Sequence, residues 1–149
     1  MTTSSYVLPD PETQAEFYSD VPVKRLIAWL VDVLLIAVVC VLILPFTAFT
    51  GIFFFPVLMA VVGFIYRVVT LASGSATWGM RLVSIEMRRQ TGDLFDLTTA
   101  LLHTTGFYVS FAFPLLQLVS VILMLTSSRS QGLTDLVMGT VALNRTARF

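Results

Sequence analysis

Charge is scarce in this sequence. Nine basic and nine acidic side chains make up 12% of its 149 residues, against about 25% in an ordinary soluble domain. Their sum is zero, so no basic excess recruits nucleic acid, and no such partner is expected. The single cysteine, Cys40, excludes an internal disulfide, and no Cys/His spacing suggests a metal site. Lying in an apolar run, Cys40 reads as a space-filling thiol. No nucleophile stands at recognisable spacing from a base, and no glycine-rich phosphate loop is present. Neither an enzyme nor a bound cofactor is expected. The polar, acidic start (Asp10, Glu12, Glu16, Asp20) is the reverse of a basic n-region. The apolar run that follows is therefore expected to remain in the mature protein as a transmembrane helix.

Apolar residues are what the chain has in excess, at 56% hydrophobic and a mean hydropathy of +0.87. The pattern predicts a polytopic, all-α membrane bundle of about three transmembrane segments, over 25–45, 52–72 and 99–126. Residues 1–19 read as a flexible tail ending in the interfacial aromatics Phe17 and Tyr18. Asp20 then Pro22 resembles a helix start, with Asp20 as N-cap. Pro45 and Gly51 bracket an uncharged turn between the first two spans.

After the second span, Ser73-Gly74-Ser75 breaks the helix. Apolar and polar residues then alternate over Arg81–Arg88, the period of a strand. Thr91-Gly92-Asp93 is a turn signal. A short amphipathic strand or hairpin at the membrane surface fits, with a tilted interfacial helix as the alternative. The third apolar region holds Pro114 near its middle, and Gly139–Asn144 in the tail reads as another strand.

Lys24, Arg25, Arg81, Arg88 and Arg89 flank one end of the first two spans, and the turn at the other end has no basic residue. The positive-inside rule puts the N-terminus and the middle loop in the cytoplasm. A simple third span would send Arg129, Arg145 and Arg148 outside. A re-entrant hairpin at Pro114 would keep them inside, and the sequence leaves both open.

Asp32 is the costliest residue. A carboxylate at a helix centre in hydrocarbon costs roughly 2.5–3.5 kcal/mol on insertion scales, which makes it a functional candidate by default. Arg25 shares its helix face but lies about 10 Å away along the axis, too far for a helix-local salt bridge. Arg67 on the antiparallel second span is the better partner, and a pair would neutralise both charges and fix helix register. The functional reading makes Asp32 a proton or cation site in a crevice. His103 is a candidate proton relay. Asp135 reads as lying at the membrane surface, where it caps a short helix or reaches Arg81 or Arg88. Arg25 reads as a lipid-phosphate anchor, or as a residue closing over a ligand together with Asp135.

Lys24-Arg25-Leu-Ile-Ala-Trp29-Leu-Val-Asp32 resembles the opening of the RDD family of small bacterial multi-pass membrane proteins. Gln131-Gly132-Leu133-Thr134-Asp135, followed by Gly139-Thr140, resembles that family's Gln-Gly-Leu-x-Asp and Gly-Thr segment. Gly79-Met80-Arg81-Leu82 is similar to its Gly-Lys-Arg-Leu segment. Met80, Trp78 and Thr134 depart from residues common there. The resemblance implies an RDD-type membrane domain over 20–149 in the plasma membrane, with Arg25, Asp32 and Asp135 as its motif residues. It also implies a part in transport. Transport or ion and proton exchange, as a homo-oligomer in the lipid bilayer, is the leading expectation. A structural or accessory subunit bound to another membrane protein is the alternative.

Overall fold

The computed structural model describes residues 8–145. Helix α1 (Val21–Ile43) and helix α2 (Phe55–Gly74) are joined by short 3-10 turns at Leu44–Thr47 and Thr50–Ile52. With 23 and 20 residues, they are about 35 and 30 Å long at 1.5 Å per residue, enough to cross a bilayer core. Pro22 falls in the first turn of α1 as expected. Asp20 takes the N-cap position in a left-handed conformation (φ 58°), but its side chain makes no capping bond.

The third apolar region is two helices, α4 (Leu97–Ala112) and α5 (Pro114–Thr126), of 16 and 13 residues. Neither is long enough to cross alone. Phe113 precedes a proline, which disfavours the helical region, and its ψ is 98°. At that single extended residue the chain bends by 116°.

The bend brings the tail back. Short helix α3 (Trp78–Leu82) leads into strand β1 (Ile85–Arg88). Short helix α6 (Leu133–Met138) leads into strand β2 (Val141–Asn144). Of the expected strand or hairpin, the strand forms and no local hairpin is present among the described residues: β1 pairs antiparallel with β2, Ile85 opposite Asn144 and Arg88 opposite Val141. The Thr91-Gly92-Asp93 turn forms, but Arg89 N–H donates to Asp93 O (2.9 Å) without a partner strand beyond it. Lys24 at the start of α1 donates to Asn144 Oδ1 at 2.8 Å, tying the first helix to the last strand. Phe17 and Tyr18, read as interfacial aromatics, are buried beside Val141 and Leu143.

Polarity is distributed inside-out. Leu26, Leu30, Leu34, Val57, Val61 and Ile65 point outward, whereas Asp32, Arg67, Thr77, His103, Ser110, Ser120 and Asp135 are buried. That is the pattern of a chain whose solvent is lipid and whose polar groups satisfy one another internally.

The start of α1, the end of α2, and the sheet therefore stand at one end of the bundle. Reporter fusions at the N-terminus, in the 89–93 turn and after Arg148 are expected to report the same side of the membrane. A C-terminal reporter on the opposite side would rule out this arrangement of α4 and α5.

Candidate functional site

Asp32 sits midway along α1 and faces α3. Tyr66 Oη and the backbone N–H of Gly79 donate to Oδ1 at 2.6 and 2.9 Å, and Thr77 Oγ1 donates to Oδ2 at 2.6 Å. Thr77 is also the N-cap of α3, accepting from Met80 N–H at 3.2 Å. The carboxylate thus closes the N-terminal end of α3, whose free N–H groups need acceptors. Gly79 lets α3 approach: a Cβ there would strike the Ala28 carbonyl and lie 2.8 Å from Asp32 Oδ1.

This corrects the expected Asp32–Arg67 pair. Neutral donors hold Asp32, and among the described residues no ion pair reaches Arg67. Arg67 lies instead over the Phe107 ring, 4.0 Å from its centroid, and its Nε has no hydrogen-bond partner. Cation–π contact of this kind stabilises a desolvated guanidinium without using its hydrogen-bond donors.

Asp135 caps its own short helix, one of its two expected roles, and does not reach Arg81 or Arg88. On α6 it is 1% exposed and accepts four hydrogen bonds. Arg25 Nη1 (2.5 Å) and Gly132 N–H (3.1 Å) reach Oδ2; His103 Nε2 (2.7 Å) and Thr140 Oγ1 (2.9 Å) reach Oδ1. The Gly132 contact is half a capping box for α6. Arg25 therefore turns inward to Asp135 and does not extend to lipid phosphates, so the reading that joined these two residues is the one the structure brings together. His103 is fixed to the same carboxylate, with Phe95 against its ring at 5.5 Å. Arg81 lies outside the site, donating from Nε to Ala76 O at 3.2 Å, and Arg88 pairs with Glu86 at 3.0 Å.

Burial pushes the Asp135 carboxyl up, but the adjacent Arg25 charge and the His103 hydrogen bond outweigh it and hold the group well below the usual carboxylate range. Both clusters open on one cavity of about 430 Å³, whose lining includes Arg25, Asp32, Arg67, His103 and Asp135. A second cavity of about 280 Å³ runs toward the other end of α1 and α2, past Ile36 and Pro56. The two share Trp29, Asp32, Arg67, Phe107 and Phe111 as lining. Trp29 and Phe111 stack at 5.8 Å.

With Arg25 and Asp32 on one helix face and Asp135 capping α6, the model of the RDD family matches residues 21–139. The chain belongs to the RDD family. Its match takes in every charged residue of the cavity and stops just short of β2. No curated protein and no solved structure matches the chain. Within this RDD chain, the sequence did not single out Tyr66, Thr77, Gly79, Phe107 or Thr140. Thr77 carried a faint signal, a hydroxyl residue just before a helix start; Gly79 and Thr140 carried only their places in the Gly-Met-Arg-Leu and Gly-Thr segments, and Tyr66 and Phe107 none.

Tyr66→Phe removes one charge-assisted bond from Asp32 and is expected to cost about 1.5–3 kcal/mol, read as a lower Tm in detergent. Asp32→Asn is expected to lower Tm further, and adding Arg67→Gln should not restore it. Recovery in that double variant would reinstate the direct pair. Because the folded Asp135 carboxyl titrates below its unfolded value of about 3.9, its contribution is full above that pH and is lost as pH falls through the folded value. Thermal stability is therefore expected to decline below about pH 4, with a shallower decline in Asp135→Asn. Equal acid sensitivity of the two proteins would exclude this role.

Proposed function

We propose that this RDD-family chain is a small carrier of the bacterial inner membrane, moving a small solute or ion and acting as a homo-oligomer. The observation that supports the reading is convergence. Arg25, Asp32, Arg67, His103 and Asp135 come from α1, α2, α4 and α6 and line one cavity among apolar helices. Ionisable groups at membrane depth are costly and mark solute or ion pathways. The second cavity shares its wall with the first at Asp32 and Arg67, so a solute held there stands between the two ends of the bundle. A bundle this small lines only part of a path, which favours several copies. The distribution of basic residues favours a cytoplasmic N-terminus, sheet and C-terminus. The role is non-enzymatic.

The test joins mass and flux. In nanodiscs the wild type is expected to run as a homo-oligomer. In liposomes carrying an internal pH-sensitive dye, it is expected to respond to at least one imposed gradient in a panel of sodium, potassium and small organic acids. Asp32→Asn should reduce the response at least tenfold. Recovery mainly bound to an unrelated membrane protein, without flux from the wild type, would overturn the carrier and favour an accessory subunit.

A further inference from the structure

The five ionisable groups of the larger cavity are not equally committed. Asp32 accepts three hydrogen bonds and Asp135 four, close to the roughly four lone-pair sites a carboxylate offers. Arg25 is engaged by Asp135. With Asp135 ionised, His103 donates through Nε2, so its unpartnered Nδ1 is an acceptor. Arg67 differs from Arg25 in having no carboxylate partner among the described residues, at 8% exposure and with a bare Nε. With Asp135 full and at most one lone pair open on Asp32, a metal cation could not fill its coordination shell from the two carboxylates without displacing existing bonds. An anion would not. Two arginines against two aspartates leave the empty cavity neutral overall, so what draws an anion is the local charge of Arg67, which no carboxylate pairs among the described residues.

The rest of the lining is apolar. Leu26 on α1, with Val121, Met124 and Leu125 on α5, forms one side of the cavity. Leu26 and Leu125 are 57% and 67% exposed, so that side reaches the lipid-facing surface between the two helices.

We infer that the cavity binds an amphiphilic monoanion, its carboxylate or phosphate head on the Arg67 guanidinium and its apolar body along Leu26, Val121, Met124 and Leu125. Arginine suits that head because its planar fork meets carboxylate and phosphate oxygens in pairs. Burial removes competing water, and Phe107 holds the guanidinium plane in place. The inference rests on the carrier reading only in taking the cavity to be accessible, and it names the solute class.

The probe is octanoate, titrated into the purified full-length chain carrying Trp78→Phe in phosphatidylcholine nanodiscs, so that the fluorescence followed is that of Trp29, which lines the cavity. Octanol and octyltrimethylammonium are the matched neutral and cationic controls. Octanoate is expected to give a saturable change that neither control gives. Arg67→Gln should weaken it at least tenfold, and Arg67→Lys should keep most of it. An equal response to octyltrimethylammonium or octanol, or no saturable response at all, overturns the inference even if Arg67→Gln does not fold. Native mass spectrometry from membranes containing phosphatidylglycerol separates the sources. Retained phosphatidylglycerol, displaced by octanoate, identifies a bilayer lipid as ligand; octanoate binding without retained lipid identifies a free acid. Binding is read without flux. Saturable octanoate binding with no flux in any gradient leaves the site standing and removes the carrier, whereas cation flux without saturable octanoate binding does the opposite.

Discussion

The arrangement depends on one buried carboxylate. Asp135 gathers donors from the start of α1, the middle of α4, the N-terminal end of α6 and the residue just before β2. In lipid no water competes for these groups, and none compensates for their loss. The apolar surfaces of the helices contribute little to holding them together, because lipid tails are as apolar as leucine. Specific geometry falls to the polar interior. Asp32 does for α3 what Asp135 does for α6: each closes the N-terminal end of a short helix from within the bundle.

These two anchors explain where the fold is irregular. Helices α3 and α6, of five and six residues, are too short to persist alone; their N-terminal N–H groups are satisfied by Tyr66 and Asp32 for α3, and by Asp135 and Ser120 for α6. Each hands the chain to a strand, and the strands find each other because both short helices are pinned at the same end of the bundle. Ser75 reinforces this end, donating to Met87 O at 2.6 Å and accepting from Phe95 N–H at 2.8 Å.

Much of the fold was legible because membrane helices announce themselves by length and apolarity. The first two spans, the break at Ser73–Ser75 and the strand character near Ile85 all come from local pattern. Pro114 marked a possible turn-back, and the conformational restriction it places on Phe113 is what makes the bend. The partner of β1 was not legible, since strand pairing across more than fifty residues leaves no local trace. The same limit applies to the site. Asp32 stood out as a costly residue, Arg25, His103 and Asp135 as polar candidates beside it, and the family pattern singled out three of the four. Charge complementarity suggested Arg67 for Asp32, yet a tyrosine, a threonine and a backbone N–H took its place. Hydroxyl and amide donors are too common in such a chain to be picked out by type, so the sequence overvalued ion pairs. Arg67's contact with Phe107 was invisible for a similar reason, because twelve phenylalanines offered themselves.

The span between Arg25 and Asp135 also sets an order of assembly. They are 110 residues apart, and a ribosome adding about 5–20 residues per second supplies the carboxylate only some 6–22 s after the arginine. Through that interval the guanidinium has no carboxylate from α6. The partners of Lys24 and of β1 are as late, since Asn144 and β2 follow Asp135 in the chain. The contacts that close this end of the bundle therefore all wait for the last residues of the described chain, after α1 and α2 have been made.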